Sequence, residues 1–179
     1  FMIGDNVYGD LFKSYIQIDE SHLWDRYIHS WLVYKIFQHK DLTPILALWD
    51  DHDYGEDNAD SFFKNKDFSK RLFRTFYSQN KETKNLSLGP GVSFSFSWNK
   101  NHFVFLDNRF FRDLKSNQNG SYFSKEQVFW LNQKMQTVPK DYFWIISGNQ
   151  WFSSSIQDES FENNHPKALA DFFKTIQIE

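Results

Sequence analysis

The sequence predicts an α/β fold, and three observations carry that prediction. Segments with apolar residues at helical spacing alternate with short apolar or strictly alternating segments that suit strands. Glycine and proline are scarce, 7 and 4 in 179 residues, which disfavours a disordered or low-complexity chain. The polar clusters fall just after the predicted strands, where α/β sheets hold their ligands.

The elements follow in order. "FMIGD" (1–5) is the end of a strand entering a loop. Ser21 is placed to cap a helix running to about Gln38, with Leu23, Tyr27, Ile28, Trp31, Leu32 and Ile36 at helical spacing. "PILALW" (44–49) is a continuous apolar run, the pattern of a strand buried on both faces. Residues 67–79 form a second amphipathic helix. "VSFSFSW" (92–98) alternates and reads as a half-buried strand. "NKN" (99–101) turns it back into "HFVFLD" (102–107). Ser124 and Gln127 make a capping box for a helix to about Thr137. "YFWIIS" (142–147) is another buried strand, and Pro166 sits in the first turn of the last helix.

Composition narrows the function classes. The net charge of -3 lacks the basic footprint of a protein that coats nucleic acid. Cysteine is absent, so there is no disulfide framework and no thiolate metal site. No apolar run approaches the roughly 18 residues of a membrane span. No stretch reads as a signal peptide, and secreted, periplasmic and cytoplasmic locations all stay open. The sequence opens on Phe1 with a strand of only three residues, which reads as a processed or truncated product.

Charge is concentrated in one place. Residues 50–60 hold five aspartates, one glutamate and one histidine, directly after the run at 44–49. Like charges at close range destabilise a fold unless water or a cation offsets them. Asp5 and Tyr8 in "GDNVYGD" (4–10) are hard oxygen donors, although an ordinary Asp-rich turn, with Asp5 bonding backbone amides, explains that stretch better when it is read alone. His52, among carboxylates, is favoured in its protonated form and suited to donating to a phosphoryl oxygen or a leaving group. Arg109 and Arg112 follow a strand and suit bidentate phosphate recognition; salt bridges to Asp107 or Asp113 are the competing reading. The other histidines, at 22, 29, 39, 102 and 165, have no ligand-like spacing.

Taken together, these stretches resemble the PhoD-like alkaline phosphatases, within the calcineurin-like metallophosphoesterases. "GDNVYGD" looks like that family's G-D-x-x-Y-x-D, an element found also in purple acid phosphatases. "WDDHDYGEDNAD" is similar to its W-D-D-H-[DE] loop, and "FVFLDNRFFR" to its L-D-x-R-x-x-R segment. "SKEQVFWLNQKM" and "WIISGNQ" match the later helix and strand, so the resemblance runs through most of the chain in the expected order.

The resemblance implies an αββα sandwich, incomplete at both ends, with residues 1–179 as one partial metallophosphatase domain. It implies a hydrolase of small phosphate esters that uses divalent or trivalent ions, calcium and ferric iron in this family. By position, Asp5 is the bridging carboxylate and Tyr8 a phenolate-type ligand to ferric iron. Asp51 ligates the second metal, with Asp50 as its rival. His52 stands beside the leaving group, and Arg109 clamps the phosphate. Two features depart from the family. The strand that supplies a first ligand has no counterpart, and no Asp-x-His or His-x-His follows Gly148. A metal site held only in part is therefore expected. The alternatives are a non-catalytic calcium- or phosphate-binding module on the same fold, and a structural α/β interaction domain.

Overall fold

The computed structural model describes residues 1–10, 18–41, 44–138, 142–155 and 159–176. The chain runs β1 (Met2–Ile3), α1 (Glu20–Val33), a 3-10 turn (Lys35–Gln38), β2 (Ala47–Leu48) and α2 (Asp51–Tyr54). It continues through α3 (Lys66–Phe76), β3 (Ser87–Leu88), β4 (Phe94–Trp98), β5 (Asn101–Leu106) and α4 (Lys125–Thr137). It closes with β6 (Tyr142–Ser147), α5 (Phe161–Asn164) and α6 (Pro166–Thr175).

Two sheets form. β1 and β2 pair in parallel, with Met2 opposite Ala47. The larger sheet has the order β3-β4-β5-β6, antiparallel except for the parallel pair β5-β6. Strand alternation divides its two faces. Phe94, Phe105 and Ile146 pack with β2, α1 and α3 in one core. Val104, Leu106, Phe143 and Ile145 pack with α4 and α6 in the other. The layers thus run helix, sheet, sheet, helix. Aromatic pairs bind the inner face: Phe94 stacks on Phe105 at 4.4 Å, and Phe96 on Phe103 at 5.1 Å.

Several local signals act as read. Ser124 and Gln127 form the capping box of α4, and Pro166 opens α6. Asn99 takes φ 52°, the left-handed conformation that asparagine tolerates, in the turn between β4 and β5.

Others are corrected. Asp19, not Ser21, caps α1: its Oδ1 accepts from the His22 amide and from the Ser21 hydroxyl. The helix stops at Val33 rather than Gln38, because Tyr34 leaves helical geometry and its hydroxyl donates to the Asn6 carbonyl at 3.0 Å. Of its six apolar residues only Leu23 and Tyr27 are buried, while Trp31, Leu32 and Ile36 face outward. β6 is not buried on both faces: Phe143 and Ile145 pack towards α4 and α6, while Tyr142 and Trp144, on the opposite face, are exposed. Ser95 is buried in the supposedly polar face of β4, since α4 covers that side. The charged stretch after β2 is a short helix rather than a loop. Asp50 is its N-cap, and Asp53 in the same turn closes a capping box by accepting the Asp50 amide at 3.0 Å. β2 has an unexpected neighbour as well. The side-chain amide of Gln79 pairs with both the N–H (2.6 Å) and the C=O (3.0 Å) of Ala47, where a further strand would otherwise bind.

Candidate metal centre

Four strand ends meet. Gly4 and Asp5 leave β1 with φ 72° and 51°, a double left-handed turn that reverses the chain over the end of β2. A Cβ on Gly4 would lie 2.7 Å from the Gly148 carbonyl, and one on Gly148 would lie 2.1 Å from the Trp49 carbonyl. This close approach brings the segments after β1, β2, β5 and β6 to one point. The first loop is also stitched to α2. Val7 N–H donates to Asp53 Oδ1 at 2.6 Å, and Gly9 N–H donates to the His52 carbonyl at 2.8 Å. Burial pushes the Asp53 carboxyl up to about 8, while the Asp50 and Val7 amides pull it back.

The resulting cleft, about 430 Å³, is lined by Asp5, Asp50, Asp51, His52, Asp57, Glu159 and residues 148–150. Asp5, Asp51 and His52 each bring one ligand atom to within 4.8 Å of the others. Burial and the charges of Asp51 and Asp50 push the Asp5 carboxyl up to about 6. Burial pushes Asp51 up too, but the Arg109 charge and the Asn58 amide, at 2.7 Å, outweigh it and hold the carboxyl below its usual range.

His52 is held from two sides. Its Nδ1 lies 2.8 Å from Asp10 Oδ1, and its Nε2 lies 3.9 Å from Asp57 Oδ1. Burial lowers its pKa, while the Asp10 hydrogen bond and the charges of Asp51, Asp10 and Asp5 more than reverse this, so the net shift is upward. The Tyr8 ring stacks on His52 at 4.3 Å. Burial and the nearby carboxylates hold the Tyr8 phenol above its usual range. Tyr8 does not line the cleft. It lines a neighbouring recess instead.

The arginines are fully buried. Arg109 Nε bonds Asp50 Oδ1 closely, its Nη1 lies 2.9 Å from Glu159 Oε1, and its Nη2 lies 3.5 Å from Asp51 Oδ1. Arg112 Nη2 shares the same Glu159 oxygen at 2.5 Å, and its guanidinium lies over the Tyr122 ring at 5.3 Å. Ion pairing is therefore present, but with Asp50, Asp51 and Glu159 as partners. Asp107 instead accepts Trp49 Nε1 at 2.8 Å and the amides of Val92, Arg109 and Phe110. Asp50 Oδ1 also accepts from Asn108 Nδ2 at 2.5 Å, and Asp50, although it lines the cleft, is not part of the Asp5–Asp51–His52 group.

Sequence reasoning had no role for Asp10, Asp53, Asn108 or Glu159. The first three lie inside the quoted motifs and were there to be weighed. Glu159 stands outside every motif, and only its position between two guanidiniums marks it. None of the other described histidines joins the group.

No protein-family model matches the sequence, and no curated protein does. Among solved structures, one described as a structure of PhoD matches with a TM-score of 0.68 at 16 % identity. The match covers 97 % of this chain and 42 % of that one, so the chain spans less than half of that structure's length. The chain thus shares the α/β fold of that PhoD structure.

Proposed function

We propose that the chain is a metal-dependent hydrolase of small phosphate esters. The observation that carries this reading is the grouping of Asp5, Asp51 and His52 within 4.8 Å at the meeting point of the strand ends. The two carboxylates suit a hard cation, with the imidazole standing beside it. Burial first, and then the charges of Asp51 and Asp50, push Asp5 up to about 6, and such a cation would neutralise that charge. Asp5 and Asp51 would hold the metal. Asp50 is the weaker choice, because Arg109 and Asn108 occupy its carboxylate. Tyr8 would join only through a trivalent ion, ferric iron by resemblance, able to deprotonate its phenol; calcium suits the carboxylates.

Bound cations would neutralise phosphoryl charge and acidify an attacking water. The protein's own groups then do the following. An ionised carboxylate can only accept, so Asp10 takes the Nδ1 proton of His52, and the imidazolium that the surrounding carboxylates favour would present its Nε2–H to the departing oxygen. Arg109 holds Asp50 and Asp51 in place rather than clamping phosphate, and Arg112 acts the same way through Glu159. The side chains of Asn149 and Gln150 lie at the cleft to orient the ester.

A second reading, a non-catalytic cation-binding module, is favoured by one observation. Arg109 and Arg112 are both committed to carboxylates, and among the described residues the cleft lining contains no Arg or Lys to receive phosphate. Metal analysis of the purified protein, combined with hydrolysis of 4-nitrophenyl phosphate and bis(4-nitrophenyl) phosphate, separates the two. Hydrolysis that disappears in Asp51→Asn supports the enzyme. Stoichiometric metal without hydrolysis supports the module.

A further inference from the structure

Beyond the Tyr8 ring lies a second recess of about 360 Å³. Asn6 and Tyr8 of the first loop form one wall. Arg26, His29, Val33 and Tyr34 form the other, at the i, i+3, i+7 and i+8 spacing of one helix face. Two hydrogen bonds lock the walls together. Arg26 Nε donates to the Tyr8 carbonyl at 2.9 Å, and the Tyr34 hydroxyl donates to the Asn6 carbonyl.

The recess and the metal centre contrast in charge. Among the described residues, five carboxylates line the cleft, whereas no Asp or Glu lines the recess. Arg26, a permanent cation, makes no ion pair within 4.0 Å among the described residues, and neither does His29. The remaining walls, Tyr8, Val33 and Tyr34, offer apolar surface.

We propose that this recess receives the leaving group of the phosphate ester and favours an aromatic or aliphatic group that carries its own anionic substituent. The inference rests on the hydrolase reading above. Position supports it: His52, the group assigned to the departing oxygen, stacks against Tyr8, whose ring is the wall shared with the recess. Chemistry supports it as well. In the recess an anionic substituent meets Arg26 with no carboxylate competing among the described residues.

The test uses metal-loaded full-length chain and two non-hydrolysable probes, benzylphosphonate and 3-carboxybenzylphosphonate, with affinity measured by calorimetry. The carboxylated probe is expected to bind about tenfold more tightly to the wild type, the order of one charge-assisted hydrogen bond. That ratio should fall towards one in Arg26→Gln and should also shrink in His29→Ala. Equal or weaker binding of the carboxylated probe to the wild type overturns the recess assignment and leaves the hydrolase reading standing. If neither phosphonate binds the metal-loaded protein, the hydrolase reading fails and the recess assignment fails with it.

Discussion

Asp10 Oδ1 and His52 Nδ1 lie 2.8 Å apart, so the loop after the first strand holds the histidine that follows the second. The pair raises the His52 pKa against its burial. A histidine whose folded pKa is raised adds stability below its unfolded value, near 6.5, and loses that contribution as pH rises through the folded pKa. Asp10→Asn in chelator-treated protein should therefore lower Tm at pH 6 and have less effect at pH 9. The side chains are partly exposed, and screening limits the loss to about 1 kcal/mol, roughly 2–4 °C. A Tm difference independent of pH would show that the pair is not ionic.

Asp5→Asn tests the metal assignment without disturbing the backbone, because asparagine also tolerates the φ of 51°. The folded Asp5 pKa is raised to about 6 from 3.8, so the metal-free protein loses stability as pH climbs through that window. The variant should remove that loss, leaving metal-free Tm at pH 7 equal to or above that of the wild type. It should also abolish the rise in Tm on adding metal. A normal metal-induced rise in Asp5→Asn would exclude Asp5 as a ligand.

Arg109→Lys separates positioning from phosphate contact. Lysine cannot span Asp50 and Glu159 with a planar fork, and buried carboxylates left unpaired cost on the order of 3 kcal/mol. Thermal unfolding should show a drop of about 10 °C, accompanied by weaker metal binding. Unchanged Tm with weaker inhibition by inorganic phosphate would instead make Arg109 a direct phosphate contact.

Gly148→Ala should be severe for reasons of space alone. The added Cβ would lie 2.1 Å from the Trp49 carbonyl, on backbone that cannot yield easily because the Trp49 indole is tied to Asp107. Overpacking of this kind costs about 3 kcal/mol or more. The urea midpoint should fall with little change in slope, and a wild-type midpoint would show that the strand ends have room to separate.

Much of the fold was legible because its signals are local. The α4 capping box spans only Ser124 and Gln127, and the β4–β5 turn needs only Asn99. The site was legible in part for the same reason, since Asp5, Asp51 and His52 all sit just beyond strand ends. The failures arose where a distant group intervened. α1 ends early because Tyr34 reaches Asn6, 28 residues earlier, and no periodicity within the helix records that bond.

The sequence by itself determined the alternation of helices and strands, the concentration of acid after β2, and the absence of thiolate chemistry. Only the tertiary structure decided which charges neutralise one another. Asp50 and Asp51 are neighbours in sequence and both lie near Arg109, yet Asp50 bonds Asn108 and Arg109 Nε, 58 and 59 residues away, while Asp51 joins Asp5 and His52. The reason is physical. Coulombic and hydrogen-bond energies depend on separations of a few ångströms in a medium of low dielectric, and those separations are set by the packing of the sheets and by the close approach at Gly148.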